Sequence, residues 1–362
     1  MNLVQAATSS LDGTSASAQV PAASPLVTVL MTVFNTAPFL REAIDSILNQ
    51  TFADFEFLIY NDGSTDDTVS IVRSYPDSRI ILVDNVANRG VSENMNEGIE
   101  QARGRYIIRM DGDDIAYPER IAKQVAYLEA NPEVGLCGSA VRYIGASSGC
   151  IYPPQDNDTI QHTLWLQNAF FQPAVAIRTS VLLEHNLRYN SNFDPAEDYK
   201  LWSDMSAVTK LHNLGEVLLD YRIHPHQISR RQSTKQQQSS AQIRREQMQR
   251  HHIILKPEQE AAYDLLTIDD DWLYFKQADY AAVANLLENL RVQSRQLNIP
   301  AEVADNVLSQ QWGRILNAAR QYRPAMVPYV LHHSLRRHLP KIVLAKLVTK
   351  CLIRWQVLPK TN

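Results

Sequence analysis

Short apolar runs alternate with amphipathic segments over the first 145 residues of the chain. The apolar runs, rich in Val, Ile and Leu, predict strands at 26–34, 55–60, 79–83, 105–110 and 134–144. The segments between them have helical spacing and predict helices at 38–50, 68–75, 92–102 and 118–130. Ser64 and Asp67 have the spacing of a capping box for the second of these helices. This alternation predicts an α/β fold built on a doubly wound, mostly parallel sheet.

Polar residues stand where three of the predicted strands end. Asn35 follows the first strand, Asn61 and Asp62 follow the second, and Asp111 and Asp113 follow the fourth. Open parallel sheets bind ligands beyond the carboxyl ends of their strands, so these side chains are predicted to face one crevice. Each cluster taken alone also fits an ordinary turn, because Asn, Asp and Gly are turn residues.

The stretch IIRMDGDDIAYPER (107–120) places three aspartates within four residues at the end of an apolar run. Like charges this close repel one another, so we expect a positive group beside Asp111, Asp113 and Asp114. Carboxylates suit Mg²⁺ or Mn²⁺, and substrate phosphates commonly complete the shell of Mg²⁺, so a divalent cation meets that expectation. The sequence has no P-loop, no glycine motif after the first strand, no EF-hand and no zinc-ligand spacing.

Composition bounds the class of protein. The 362 residues are 45% hydrophobic and 20% charged with a formal net charge of −4, which gives no indication of a nucleic-acid partner. Three scattered cysteines without a CxxC pair predict a reducing, cytoplasmic setting. Residues 1–24 lack the basic start and the apolar run of a signal peptide and are predicted to form a disordered tail. No later apolar run is long enough to span a bilayer.

Four ordered motifs carry a resemblance to a known family. PLVTVLMTVFNTAPFLREAIDSILNQTFADFEFLIYNDGSTDDT, NRGVSENMNEGIEQARGRYIIRMDGDDIAYPERI, PAEDYKLW and EVLLDYRIHPHQIS together resemble the family 2 glycosyltransferases of the GT-A fold. The resemblance spans roughly residues 25–231 and implies a Rossmann-like GT-A domain there. It also implies an inverting enzyme of the bacterial surface-polysaccharide type, which moves a sugar from a nucleotide diphosphosugar to an acceptor hydroxyl.

The resemblance assigns a metal site that agrees with the charge argument. Asp111-Gly112-Asp113 corresponds to the DxD motif, with Asp113 the direct ligand of Mn²⁺ or Mg²⁺ and Asp111 nearer the donor. His224, near the end of the domain, corresponds to a histidine that reaches back to the cation. Asp114 is expected to be structural.

The resemblance also implies where the donor nucleotide lies. Phe34 stands where the family usually has a tyrosine that stacks on the base, although a core phenylalanine fits the pattern as well. Asn61 stands where the family often has an aspartate that reads uracil, and an amide offers a different hydrogen-bond pattern. Arg89 corresponds to the region beside the diphosphate, but an exposed loop arginine fits equally. The implied donor-binding residues are Thr32, Phe34, Asn35, Asn61, Asp62, Arg89, Asp111 and Gly112.

In PAEDYKLW (195–202), the resemblance makes Asp198 the general base on the acceptor hydroxyl and Glu197 a residue that orients the acceptor. Acidic residues at a helix start also complement the helix dipole without any catalytic role. Gln172 stands where many relatives carry histidine, so acceptor preference is expected to differ.

Residues 232–362 are predicted to be helical, without a catalytic constellation. No acidic residue follows Asp305, and within 336–360 seven basic residues alternate with apolar ones: Arg336, Arg337, Lys341, Lys346, Lys350, Arg354 and Lys360. A basic amphipathic segment of this kind is typical of attachment to an anionic membrane face, but it also fits a helix packed on the domain. Many members of the family that the chain resembles act on lipid-linked glycans at the cytoplasmic face, so the resemblance favours peripheral membrane attachment.

Two other functions fit parts of the pattern. A sugar-phosphate nucleotidyltransferase would share the α/β layer and the acidic ligands, but VFNTAPFL lacks its glycine-rich, basic first loop. A catalytically silent nucleotide-sugar-binding module would not need Asp113, Asp198 and His224 together. The sequence leaves open the donor sugar and base, the acceptor, the linkage and the oligomeric state, because a fold does not select a substrate.

Overall fold

The computed structural model describes residues 24–225, 227, 233–265 and 277–318. The tail predicted over residues 1–24 therefore lies almost entirely outside the described residues. The basic segment at 336–360, on which the membrane hypothesis rests, lies outside them as well.

Nine strands and eleven α-helices make up the described part of the chain. The strands are β1 Val27–Val33, β2 Phe55–Asp62, β3 Ile80–Asn85, β4 Tyr106–Asp111, β5 Ile115–Ala116, β6 Val134–Gly145, β7 Gly149–Ile151, β8 Ala176–Arg178 and β9 Lys210–Ile223. The first seven helices are α1 Ala37–Leu48, α2 Thr68–Arg73, α3 Val91–Gln101, α4 Arg120–Ala130, α5 Asn157–Thr163, α6 Thr179–Glu184 and α7 Glu197–Met205. Four more follow: α8 Ser233–Arg250, α9 Pro257–Leu265, α10 Gln277–Gln296 and α11 Ala301–Ala318.

The strands form one sheet in the order β3-β2-β1-β4-β8-β6-β9-β5, with β7 paired to β6. Strands β3, β2, β1 and β4 run parallel, as the alternation of strands and helices predicted. Strand β8 then pairs antiparallel with both β4 and β6, and β9 runs parallel to β6 but antiparallel to β5. The predicted fold class is confirmed, and the antiparallel pairings, each of two or three residue pairs, lie in the second half of the sheet.

Both faces of the parallel half are covered. In β1, Val29 and Met31 lie in an apolar core with residues of α1 and α4, whereas Leu30 lies in a second core with residues of α3. All three side chains are fully buried. Burial on both faces explains why these strands are continuous apolar runs rather than alternating ones.

The predicted capping box at the start of α2 is wrong. Asp67, not Ser64, occupies the N-cap position, and it makes no side-chain cap. Asp66 accepts the amide hydrogen of Thr68 instead, at 3.0 Å. Ser64 lies too far before the helix to cap it, and its hydroxyl accepts the amide hydrogen of Asn35 at 2.9 Å.

The predicted C-terminal helices are confirmed over α8–α11, and they pack against the sheet domain. The Tyr263 hydroxyl of α9 donates to the carbonyl of Trp165 at 2.7 Å. The ring of the buried His162 in α5 lies 2.8 Å from the Ser294 hydroxyl of α10. Among the described helices, none is both long and apolar enough to cross a membrane.

Candidate active site

The ends of β1, β2 and β4 meet at one edge of the sheet, as the parallel arrangement predicted. Thr32 of β1 stands opposite Asp111 of β4 on one side and Tyr60 of β2 on the other. Val33 is paired with Asn61. The polar residues singled out by the sequence therefore lie at one edge of the sheet, beside one crevice.

The three aspartates of the DGDD stretch form a tight cluster at this edge. One carboxylate oxygen from each of Asp111, Asp113 and Asp114 lies within 4.8 Å of the others. His224 adds a nitrogen donor, because its Nε2 lies 2.8 Å from Oδ2 of Asp113. Hard oxygen ligands with one imidazole fit Mg²⁺ or Mn²⁺. The residues present could therefore hold such a cation.

A positive side chain that sequence reasoning missed lies beside these aspartates. Arg109 of β4 is only 1% exposed, and its Nη2 lies 2.6 Å from Oδ1 of Asp111. The same guanidinium donates to the Thr32 hydroxyl at 3.2 Å and to the carbonyl of Met110. An arginine inside an apolar strand is the signal that could have identified it, since a buried charge requires a partner.

Asp114 fastens the cluster to strand β9. Its Oδ1 accepts the amide hydrogen of Arg222 at 2.8 Å, and the Arg222 guanidinium donates to the carbonyl of Asp113 at 2.7 Å. Burial, followed by the negative charge of the neighbouring aspartates, raises the pKa of both Asp113 and Asp114. These contacts agree with the structural role expected for Asp114.

Gly112 allows the turn of the cluster to approach β1. A Cβ atom at this position would lie 2.8 Å from a methyl carbon of Val33 and 3.1 Å from the Thr36 hydroxyl. Any larger residue would therefore push the aspartates away from the strand end.

Asn61 and Asp62, on the nucleotide side, are buried and bonded to the protein. The Asn61 amide donates to Oδ1 of Asp84 at 2.8 Å, and its oxygen accepts the Ser64 amide hydrogen at 3.1 Å. Asp62 accepts the amide hydrogens of Arg89 and Gly90 at 2.7 and 3.1 Å. Asp62 therefore organises the loop between β3 and α3.

The other predicted nucleotide residues are more open. Phe34 is 48% exposed, which excludes the alternative of a core phenylalanine and leaves its ring face accessible. Asn35 has a φ of 53°, and its side-chain oxygen accepts the Thr65 amide hydrogen at 2.8 Å. Arg89 forms ion pairs with Glu93 and Glu97 of α3, at 3.3 and 2.6 Å.

The acidic pair of PAEDYKLW opens α7. Asp198 accepts a hydrogen bond from the Asn168 amide at 2.9 Å and another from the Tyr199 backbone at 2.6 Å. Glu197 is only 4% exposed and faces Gln172 at 3.4 Å. Sequence reasoning missed Asn168, which no motif marks.

Burial pushes the two α7 carboxyls to different pKa values. It raises the pKa of Asp198 to about 6, with hydrogen bonds from Tyr199 and Asn168 opposing the rise. It raises the pKa of Glu197 to about 8, and the charge of Asp198 adds to that rise. The charge of Asp111 also raises the pKa of Asp198, so the α7 pair is electrostatically coupled to the aspartate cluster. The two pKa values lie on either side of pH 7, so the pair as a whole holds about one proton there.

Known proteins resemble this chain in sequence. Residues 28–184 match the model of Glycosyl transferase family 2. An uncharacterized glycosyltransferase of Haemophilus influenzae is 36% identical over 218 residues, which cover 57% of this chain and 68% of the relative. The putative glycosyltransferase EpsE of Bacillus subtilis is 36% identical over 219 residues, which cover 58% of this chain and 77% of the relative. The O-antigen biosynthesis glycosyltransferase WbnJ of Escherichia coli is 30% identical over 209 residues, which cover 55% of this chain and 80% of the relative.

Solved structures share the fold. The crystal structure of S. aureus TarS 1-349 in complex with UDP-GlcNAc superimposes with a TM-score of 0.51 at 15% identity, covering 92% of this chain and 93% of that one. The resemblance first indicated by the four motifs is thus confirmed by extended sequence identity and by architecture. The chain belongs to the family 2 glycosyltransferases.

Proposed function

We propose that this glycosyltransferase moves a sugar from a UDP-sugar to an acceptor hydroxyl with inversion, and that Asp198 is the general base. The observation that carries the proposal is that two groups of acidic residues, the aspartate cluster and the α7 pair, lie close enough for Asp111 to raise the pKa of Asp198. The aspartate cluster with His224 offers a cation site, and the α7 pair offers a carboxylate with a raised pKa. Metal binding and proton abstraction need these two kinds of group.

The donor nucleotide would lie along the ends of β1 and β2. The accessible ring of Phe34 supports base stacking there, and the loop held by Asp62 supports a nearby phosphate site. The choice of uridine is supported by the S. aureus protein of the same fold, whose structure contains UDP-GlcNAc. The remaining residues of the proposed donor site are Thr32, Asn35, Asn61, Arg89, Asp111 and Gly112.

Asp113, Asp111 and His224 would hold the divalent cation. When bound, Mn²⁺ or Mg²⁺ offsets negative charge on the departing diphosphate, an effect worth on the order of several kcal/mol. Arg109 keeps Asp111 in place and balances part of the cluster's charge in the absence of substrate.

Asp198 would act on the acceptor. Its carboxylate takes the hydroxyl proton while the acceptor oxygen bonds to the anomeric carbon, and the bond from that carbon to the diphosphate oxygen breaks. Asn168 holds the carboxylate in one orientation, and Glu197 keeps its proton and can donate a hydrogen bond to the acceptor. Attack on the face opposite the leaving group inverts the anomeric centre.

The relative named for O-antigen biosynthesis supports a role in surface polysaccharide assembly, with a glycan or lipid-linked glycan as acceptor. We propose that the basic residues within 336–360 attach the enzyme to the cytoplasmic face of an anionic membrane. Their charge pattern supports that attachment.

Donor binding gives the first test. We expect UDP-sugars to raise the melting temperature only when Mn²⁺ or Mg²⁺ is present, because the diphosphate and the aspartates repel each other without a cation. The measurement is thermal unfolding with UDP-, GDP-, dTDP- and CDP-sugars, each with and without metal. A larger shift with another base would replace uridine in the proposal, and the lack of any shift would reject the cation-bridged site.

The pH dependence of transfer follows from the two raised pKa values. Asp198 must be ionised to accept a proton, so kcat/KM should fall about tenfold per pH unit below pH 6. Ionisation of Glu197 removes its donated hydrogen bond, so a second decline should begin near pH 8. In Glu197→Gln the alkaline decline should disappear while the acid decline remains. A wild-type profile that stays flat down to pH 4.5 would contradict the assignment of Asp198 as the base.

A further inference from the structure

Helix α8 packs along α7, the helix that begins with the proposed base. Ile243 of α8 is fully buried in the same apolar core as Tyr199, Leu201 and Trp202 of α7. The Arg244 side chain of α8 is also buried, and it lies close enough to Tyr199 of α7 to interact with it electrostatically. Helices α7 and α8 therefore share a buried core and do not merely touch at the surface.

Polar side chains of α8 also hold the chain at both ends of α7. Near the start, the Gln236 amide donates to the carbonyl of Pro195 at 3.1 Å, two residues before Glu197. At the other end, the Gln247 amide donates to the carbonyl of Ser203 at 3.2 Å, and Arg250 donates to the same carbonyl at 2.5 Å.

Ion pairs also connect α8 with the C-terminal part of α7. Arg250 also pairs with Asp204 at 2.8 Å, and Lys200 of α7 lies 3.3 Å from Glu246 of α8. A cation at a helix C-terminus is favourable, because the last carbonyl groups carry the negative end of the helix dipole. These side chains add to the local contacts of the same groups, since the Ser203 carbonyl also accepts from the Ser206 hydroxyl at 2.8 Å and Asp204 also pairs with Lys200 at 2.7 Å.

α7 needs such support because it is short. It has nine residues, and the residue that precedes it, Ala196, provides no side-chain cap. An isolated helix of this length is marginal in water, so tertiary contacts set its position. A displacement of about 1 Å at a reacting group can lower a rate about 100-fold.

We propose that α8 is a positioning element for catalysis, in which Gln236, Gln247 and Arg250 fix α7 and thereby aim Asp198 at the acceptor. The inference rests on the proposed role of Asp198. It gives the C-terminal helices, which carry no catalytic group of their own among the described residues, a part in the reaction.

The test uses Gln247→Ala combined with Arg250→Met in the full chain, with Gln236→Ala as a milder variant. We expect kcat to fall about 10- to 100-fold while the donor KM stays within about twofold, because the donor lies on the strand ends and not on α7. Hydrogen exchange of the amides in 197–205 should become faster, and that of β1 and β4 should not change. Arg250→Lys, which keeps a donor and a charge, should recover most of the rate.

Gln238→Ala is the matched control, since Gln238 lies on the exposed side of α8. It should leave both kcat and exchange unchanged. Unchanged exchange at 197–205 in the double variant would overturn the positioning role even if the wild type had no transferase activity. Faster exchange without loss of kcat would show that α8 holds α7 but does not serve catalysis. If the double variant fails to fold, Gln236→Ala decides between these outcomes.

Discussion

Asp198→Asn should lower kcat for sugar transfer by about 10²- to 10⁴-fold and leave donor binding nearly unchanged. The amide has the size of the carboxylate and can still face Asn168, but it cannot accept a proton at neutral pH. The proposed donor site lies on the ends of β1, β2 and β4, so the dissociation constant of UDP with metal should change by less than about threefold. Steady-state transfer or donor hydrolysis, together with calorimetric UDP binding, measures the two effects separately.

The sharpest comparison with Asp198→Asn is Glu197→Gln. Glu197 is the neighbouring carboxyl, and the proposed mechanism has it protonated while Asp198 is ionised. In the proposed mechanism Glu197 keeps its proton at pH 7, so a neutral amide of equal size should retain activity within about tenfold. Asp158→Asn, an exposed change in the first turn of α5, controls for loss of charge alone and should have no effect. If Glu197→Gln is inactive and Asp198→Asn is active, the roles of the two residues must be exchanged.

The sequence predicted the parallel half of the sheet well because its strands are buried on both faces. Continuous apolar runs identify such strands, and the rule for parallel sheets then places Asn61, Asp111 and Asp113 at one edge. The second half of the sheet was harder to predict from the sequence. Strand β8 has only three residues, and its antiparallel position between β4 and β6 depends on tertiary pairing that no local pattern encodes.

Side-chain partners across the fold were the least predictable part of the site. Arg109 has the sequence position of a strand residue, and only the packed structure shows that it pairs with Asp111. The pairing of Asn61 with Asp84 joins two strands that are separate in sequence. Helix α8 has a polar sequence of low complexity, so its contacts with α7 leave no periodic signal. In each case the decisive contact is long-range.

Asp113→Asn should abolish the metal-dependent stabilisation by UDP-sugars and lower kcat by about 10²-fold or more. The change removes one anionic oxygen ligand and weakens cation binding, and a loss of about 3 kcal/mol of charge stabilisation corresponds to that factor. Asp113 also contacts His224 at 2.8 Å, so the variant should also loosen the imidazole that completes the proposed site.

The metal titration separates this prediction from a general loss of stability. In Asp113→Asn, activity should require a higher Mn²⁺ concentration for half-saturation, whereas a variant that is merely less stable would keep the wild-type metal dependence. Asp67→Asn is a suitable control, because Asp67 is exposed and makes no side-chain cap at α2. If Asp113→Asn retains both the metal response and the rate, the DGDD cluster is not the cation site. The charge of its three aspartates would then be balanced by Arg109 and by the backbone contact to β9 alone.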